Sequence, residues 1–160
     1  MSTILGIIKS MEGTIQNKPP CKKAIQKMVY LIQEAGENIG FDYRIHFYGP
    51  YSSDLDAEMR YLCGRGDLTM EETDQGHLLS VSDISEASEI SFGAQHVISN
   101  FSSEKPTQLE LLSTALYVQR ALQNPNDEDI IAGVTKLKGQ KYSKSQIEYS
   151  ISDLKSKNYF

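Results

Sequence analysis

Apolar residues recur every three to four positions in three segments of the N-terminal half, which predicts three amphipathic helices. They lie within residues 1–13, 21–36 and 52–66. Ser52 or Ser53 is expected to cap the third helix, whose first turn is acidic. The inward positions are Ile4, Leu5, Ile7, Ile8 and Met11, then Cys21, Ala24, Ile25, Met28, Leu31, Ile32 and Ala35, then Leu55, Met59 and Leu62.

Two other segments alternate between apolar and polar residues, which is the period of a half-buried strand. In residues 43–48, Tyr43, Ile45 and Phe47 share one face, so Phe47 is expected to pack inward. Gly49 and Pro50 are expected to end this strand in a turn, because proline has no amide hydrogen to donate to a sheet. Residues 67–82 predict a hairpin, with Leu68, Met70, Leu79 and Val81 alternating on either side of a turn that contains Asp74 and Gly76.

The C-terminal half predicts four more helices. Helical spacing in residues 83–101 is weakened by Gly93 and several serines, whereas residues 107–122 are apolar on most sides and predict a central helix. Residues 127–138 and 144–157 predict two amphipathic helices. Capping-box patterns occur at Thr107 with Glu110 and at Ser143 with Gln146. The apolar positions of the weak segment are Ile84, Ala87, Ala94, Ile98 and Phe101.

Together these elements predict a mainly α protein with a small antiparallel β element, in the α+β class. A helix followed by a hairpin within residues 1–82 is typical of a winged helix, and residues 107–160 form a helical C-terminal part after a connecting helix and break at 83–106. A chain of 160 residues with 39% hydrophobic content can bury about two-thirds of its unfolded surface in one core. We therefore expect one compact domain.

The sequence indicates a cytoplasmic protein without a membrane partner. Cys21 and Cys63 lie far apart with no second Cys or His at ligand spacing, which favours two buried thiols over a disulfide or a zinc site. The apolar N-terminus lacks the basic leader and cleavage site of a signal peptide. No apolar run reaches the roughly 20 residues of a membrane-spanning helix.

No residue pattern indicates catalysis, a metal or a cofactor. His46, His77 and His96 fall on separate predicted elements, without a carboxylate or cysteine at the spacing that metal binding or nucleophilic catalysis needs. The acidic residues in the first turn of the third helix point in different directions, because helix positions two apart do not share a face. We expect a protein that is not an enzyme.

The charge is unevenly distributed and leaves DNA binding open. The net charge is −5, but residues 136–160 carry six lysines against Glu148 and Asp153, which leaves −9 for residues 1–135. The acidic third helix and hairpin should repel a phosphate backbone. The C-terminal helices are the better candidate for a helix-turn-helix regulator, with Lys138, Lys141, Lys144, Gln146 and Tyr149 as candidate DNA-binding residues.

One stretch carries a family resemblance. The segment Lys27-Met28-Val29-Tyr30-Leu31-Ile32-Gln33, followed by the Tyr43–Tyr48 strand and by Gly49-Pro50-Tyr51-Ser52, resembles the Panacea domain of SocA-like antitoxins. In that family a helix of the pattern Lys-apolar-x-Tyr-x-x-Gln precedes a strand that ends in Tyr-Gly-Pro. The resemblance is densest over residues 22–66. The whole length is also similar to the uncharacterised YwgA-like proteins.

This resemblance implies an intracellular protein that binds a partner protein, as an antitoxin binds its toxin or an adaptor its client. The residues that match the motif are the candidate partner-binding residues: Lys27, Tyr30, Tyr48, Gly49, Pro50, Tyr51 and Ser52. Tyr48 and Tyr51 suit such a surface, because tyrosine provides a large contact area together with a hydroxyl group. They could equally close the core over the strand-helix junction. Whether the protein also forms a homo-oligomer stays open.

Overall fold

The structure is a computed structural model that describes residues 2–14, 18–83 and 88–160. Over these residues the chain is mainly α-helical with two antiparallel β-hairpins, as the α+β prediction requires. The helices are α1 (Thr3–Thr14), α2 (Lys22–Glu34), α3 (Ser53–Arg65), α4 (Phe92–Phe101), α5 (Pro106–Ala121), α6 (Asp127–Lys138) and α7 (Lys144–Ser156). The strands are β1 (Arg44–His46), β2 (Gly49–Tyr51), β3 (Leu68–Thr73) and β4 (Gly76–Val81).

Helix α5 lies at the centre of the protein, as its apolar sequence predicts. It packs against α2, α6, α7 and strand β2, and nine of its residues are buried. The predicted capping box at its start is wrong. The helix begins at Pro106, with Lys105 as a cap residue that makes no side-chain cap, so Thr107 lies inside the first turn and Glu110 is not the third residue after the cap. Glu110 is therefore free to point into the protein interior.

One hydrophobic cluster draws side chains from all seven of the helices described above and from the second hairpin. The inward positions predicted for α1, α2 and α3 are buried, with two exceptions at the ends of α2: Cys21 is half-buried, and Ala35, predicted to face inward, is exposed because it lies beyond the last turn of the helix. Cys21 and Cys63 are free thiols, and both are half-buried rather than buried as predicted. The Sγ atom of Cys21 caps α2 by accepting from the amide of Ala24 at 3.4 Å.

The first hairpin, formed by β1 and β2, differs from the prediction. The strand ends at His46, Phe47 and Tyr48 form the turn, and Gly49–Tyr51 returns as β2, with His46 opposite Gly49 and Ile45 opposite Pro50. Proline is tolerated in β2 because a two-stranded sheet has only edge strands. Phe47 was expected to pack inward, but it lies at the turn and is exposed.

The second hairpin, formed by β3 and β4, is confirmed. Thr73 lies opposite Gly76, so Asp74 and Gln75 form the turn between the strands. Leu68 and Leu79 are buried, whereas Met70, which was expected to alternate with Leu68, is exposed. The hairpin packs on α1 and α3, and the amide of Leu79 donates to the carbonyl of Pro20 at 3.0 Å just before α2.

The other helix predictions are largely confirmed. Ser52 caps α3, and Ser143 with Gln146 forms the predicted capping box of α7. Helix α4 is shorter than expected, because it begins only at Phe92; Ala94, Ile98 and Phe101 are buried as predicted, and Ile84 and Ala87 lie outside the described residues. None of the helices in the described segments is long and apolar enough to span a membrane.

Candidate functional site

The Gly49–Pro50 backbone lies directly over a buried lysine of α2. Lys27 is 2% exposed, and its Nζ donates a hydrogen bond to the carbonyl oxygen of Pro50 at 2.6 Å. A buried ammonium or amine group needs such a partner, because its desolvation would otherwise cost several kcal/mol, on the order of the penalties measured for unpaired buried groups. The hydrogen bond from Lys27 therefore holds the short strand β2 against α2.

Residue Gln26, next to this lysine, fixes the register of the hairpin on α2. Its side-chain amide donates to the carbonyl of Ser52 at 2.8 Å and accepts from the amide of Ser52 at 2.9 Å. The hydroxyl of Tyr43 donates to the backbone carbonyl of Gln26 at 2.8 Å. Ser52 in turn caps α3 by accepting from the amide of Leu55. The hairpin and the start of α3 are thus positioned by the same turn of α2.

A buried carboxylate on α5 lies beside the hairpin. Glu110 is fully buried, and its oxygens contact the ammonium groups of Lys23 at 2.8 Å, Lys141 at 2.7 Å and Lys138 at 3.4 Å. The hydroxyl of Tyr142 also donates to Glu110. Burial alone would raise the pKa of Glu110, but the hydrogen bonds from Lys141, Lys23 and Tyr142 and the charge of Lys138 outweigh burial and lower the pKa to about 2.

Lys27 is close to its titration point at neutral pH. Burial is the main cause that lowers its pKa to about 7, and the positive charges of Lys23, Lys138 and Lys141 lower it further. The negative charge of Glu110 opposes this shift without cancelling it. Near pH 7 the Lys27 amine can therefore exist in both protonation states while it donates to Pro50.

We expect the stability of the protein to rise with pH from about 7 to 9 because of Lys27. The amine loses its proton near pH 7 in the folded chain, whereas an ordinary lysine keeps it to about 10.5, so the unfolded state binds more protons over this interval. The expected gain in the free energy of unfolding between pH 7 and 9 is about 2 kcal/mol. Urea unfolding at several pH values should show this rise for the wild type and a flatter profile for Lys27→Met. Parallel profiles for the two proteins would contradict the assignment.

The turn of the first hairpin presents two aromatic rings to solvent. Phe47 is 84% exposed and Tyr48 is 55% exposed, and the rings form an edge-to-face pair with centroids 4.9 Å apart. Lys23 and Lys141 flank the Tyr48 ring at 5.0 and 5.6 Å from its centroid. We call Phe47 and Tyr48 the aromatic tip.

Lysines from different parts of the chain bind the backbone of the aromatic tip and of the strand that follows it. Lys138, at the end of α6, donates to the carbonyl of Phe47 at 2.8 Å, and Lys27 donates to that of Pro50. Gly49 has a positive φ of 94°, and a Cβ atom at this position would lie 2.7 Å from the Oγ1 of Thr114 on α5. Glycine therefore lets the hairpin contact α5 directly.

The structure divides the seven predicted partner-binding residues into two groups. Tyr48 is exposed and Tyr51 is half-buried, with its ring 4.9 Å from that of His46. The other five are buried, either in strand β2 itself or in the layer beneath and beside it: Lys27, Tyr30, Gly49, Pro50 and Ser52. Tyr30 packs against Tyr43 and Tyr117, with ring centroids 5.1 and 6.3 Å away, and this burial raises its pKa.

The five candidate DNA-binding residues do not form one basic surface. The side chain of Lys138 is only 4% exposed, and Lys141 binds Glu110. Lys144 is exposed but pairs with Glu128 at 3.5 Å, and the side chain of Gln146 caps α7. Tyr149 is exposed. The ammonium groups of two of the three lysines, Lys138 and Lys141, are thus paired with Glu110.

Three residues of the site were missed in the sequence. Glu110 was assigned to a capping box, Phe47 to the core and Tyr142 to no role, yet all three belong to the cluster around the hairpin. One sequence signal could have identified Glu110: it is a glutamate between Leu109 and Leu111 in a helix that is apolar on most sides. A charged residue in such a helix is expected to be buried together with an oppositely charged partner. Over the described residues, no group of three or more His, Cys, Asp or Glu side chains could bind a metal ion.

Comparison with known proteins gives a relative without an assigned role. No family model matches the chain. The chain is 25% identical over 139 residues to the uncharacterized protein YwgA of Bacillus subtilis (strain 168), and the match covers 81% of this chain and 82% of the relative. The expected similarity to YwgA-like proteins is therefore confirmed.

Proposed function

We propose that this protein is a non-enzymatic module that binds a partner protein through the aromatic tip. The observation that carries the proposal is an exposed aromatic pair whose backbone is held by two lysines with buried side chains: Lys138 binds the carbonyl of Phe47, and Lys27 binds that of Pro50, two residues after Tyr48. Burying such side chains in a core would be the ordinary outcome, so their display at a fixed position suits contact with another protein.

The anchoring of the hairpin favours tight binding. Association normally costs free energy because flexible side chains and loops lose conformational freedom at the interface. Here Lys27, Lys138, Gln26 and the contact of Gly49 with α5 already fix the backbone of the tip. Large aromatic side chains on a preorganised surface are the usual centres of binding energy in protein interfaces. The tip therefore has the properties of a binding hot spot.

The resemblance of residues 22–66 to the Panacea domain supports a partner of the toxin or client class. The motif residues Lys27, Gly49 and Pro50 build the support of the tip rather than its surface. The motif would then define the scaffold, while Phe47 and Tyr48 would contact the partner. On this proposal the activity is of antitoxin or adaptor type.

The rival proposal is a DNA-binding regulator. The order α3, β3, β4 is that of a winged helix, and Lys144 and Tyr149 on α7 are exposed. Two observations favour the protein-binding proposal instead. Helix α3 begins with Asp54 and Asp56, which oppose a phosphate backbone, and the ammonium groups of Lys138 and Lys141 are bound to Glu110.

We expect Phe47→Ala combined with Tyr48→Ala to weaken partner binding at least about tenfold, because truncated aromatic hot spots commonly cost 2 kcal/mol or more. The partner would be recovered by affinity purification of the tagged protein from its host, purified separately and titrated into each variant by calorimetry. Nucleic acid in the eluate would be analysed in parallel.

The matched control is Tyr61→Ala, since Tyr61 is another exposed aromatic residue and lies on α3. It should leave the affinity unchanged, and all variants should keep the wild-type unfolding midpoint. Unchanged affinity of the double variant would remove the aromatic tip as the binding surface. Specific DNA without a protein in the eluate, released by Lys144→Gln with Tyr149→Ala, would support the rival.

A further inference from the structure

A cavity of about 430 Å³ opens beside the aromatic tip. It lies between the first turn of α2, the turns of both hairpins and the start of α5. Its walls include the rings of Tyr48 and Tyr51, Pro106 and the side-chain stems of Lys22 and Lys23. This volume is in the range of sites that enclose small organic molecules rather than single ions.

The lining of this cavity is mainly apolar, and its charged residues are basic. Lys22, Lys23, Lys27 and His77 line it, and none of its described lining residues is acidic, although the whole chain has a net charge of −5. A concave surface lined by one sign of charge concentrates ligands of the opposite sign. The cavity therefore selects for a negatively charged group.

The carboxylates behind this lining do not neutralise it. Within ion-pair distance and among the described residues, Asp56 is shared by Lys22 and Arg60, and Glu110 is shared by Lys23, Lys138 and Lys141. Five cations thus share two carboxylates, and Lys27 lies beside them as a further amine. An additional carboxylate in the cavity would relieve the repulsion among these cations.

We propose that this cavity binds a small organic carboxylate with an aromatic or aliphatic body. The carboxylate lies at the Lys22 and Lys23 end, and the body packs against Tyr48, Tyr51 and Pro106. This ligand site goes beyond the proposed binding of a partner protein. Because Tyr48 belongs to both surfaces, an occupied cavity changes the surroundings of the aromatic tip.

The test is a titration of the purified full chain with benzoate and, as a neutral match of the same shape, benzamide. Binding would be followed by the NMR chemical shifts of the backbone amides. Benzoate should shift amides in residues 21–27 and 75–77 and bind at least about tenfold more tightly than benzamide. Lys22→Gln and Lys23→Gln should each weaken benzoate about threefold, which is the scale of one partly exposed charge pair, without affecting benzamide.

Lys144→Gln is the control, because it removes an exposed lysine from α7, away from the cavity lining. It should leave benzoate binding unchanged, and the amide spectra of all variants should show the wild-type fold. Equal affinity for benzoate and benzamide, or equal weakening by Lys144→Gln and Lys23→Gln, would overturn the proposal. Since the titration uses no partner protein, its failure would not bear on partner binding through the aromatic tip.

Discussion

Replacing Glu110 by alanine is expected to lower the free energy of unfolding by about 3–5 kcal/mol, because removal of one partner leaves buried opposite charges uncompensated. The Glu110 side chain has no solvent access and contacts the hydroxyl of Tyr142 and three ammonium groups, of which that of Lys138 lies on a buried side chain and those of Lys23 and Lys141 on partly exposed ones. Without this carboxylate, Lys138 keeps its hydrogen bond to Phe47 but loses its ion pair, and the three lysines repel one another. Urea unfolding followed by circular dichroism measures the effect.

The matched control is Glu148→Ala, which removes an exposed carboxylate 3.9 Å from Lys144 on α7. It should change the free energy of unfolding by no more than about 0.5 kcal/mol.

The pH dependence of the stability provides a second check on Glu110. Because the pKa of Glu110 is lowered to about 2, its contribution is fully present above about pH 4.5 and is lost as the pH falls toward 2.

Glu110→Gln should lack this part of the acid sensitivity while keeping the side-chain shape. If Glu110→Ala were as mild as Glu148→Ala, or if the acid profiles of wild type and Glu110→Gln coincided, the carboxylate would not have the central role assigned to it.

Gly49→Ala is expected to cost about 2–4 kcal/mol, because the new Cβ meets both backbone strain and a close contact. The positive φ of Gly49 disfavours any side chain, and the Cβ would lie 2.7 Å from the Oγ1 of Thr114. Either the hairpin must move away from α5 or Thr114 must shift within a packed helix. Thermal or urea unfolding measures the loss, and partner binding should weaken with it because the aromatic tip is displaced.

Two comparisons separate the strain from the contact. Gly36 also has a positive φ, of 107°, but no described atom lies within 4 Å of the position that a Cβ would take there, so Gly36→Ala should cost only about 1–2 kcal/mol. Thr114→Ala should recover part of the loss in Gly49→Ala, since it removes the contacted atom. Among the described residues the Thr114 hydroxyl has no hydrogen-bond partner, so this rescue breaks no bond. Equal losses for Gly49→Ala and Gly36→Ala would contradict the close contact.

The helices could be predicted from the sequence because their signal is local. Ile25, Met28 and Ile32 on α2 and Ile147, Ile151 and Leu154 on α7 repeat at the helical period, and each set is buried. The caps at Ser52 and Ser143 follow from side chains that reach backbone amides three residues away. The second hairpin could likewise be predicted, from apolar and polar residues that alternate on both sides of a turn near Asp74 and Gly76.

The first hairpin and the charge cluster could not be predicted because their causes are distant in sequence. A Phe-Tyr turn carries no standard hairpin signal, and Pro50 argues locally against a strand; the pairing is stabilised by Lys27 on α2 and Lys138 on α6. Glu110 fitted a capping pattern locally, but Pro106 took the first turn of α5. The basic C-terminal segment left DNA binding open as an alternative, and its local pattern gave no sign that two of its lysines pair with that buried glutamate.

The support of the aromatic tip also sets the order in which the protein can become active during synthesis. Phe47 and Tyr48 leave the ribosome early, but Glu110, Lys138 and Lys141, which bind the hairpin from the other side, are translated sixty or more residues later. A nascent chain that ends before these residues has the tip without its anchors. Competence to bind a partner in the proposed way therefore arises only after α6 and the α6–α7 connection have emerged and packed, which delays capture of the partner well beyond synthesis of the aromatic tip itself.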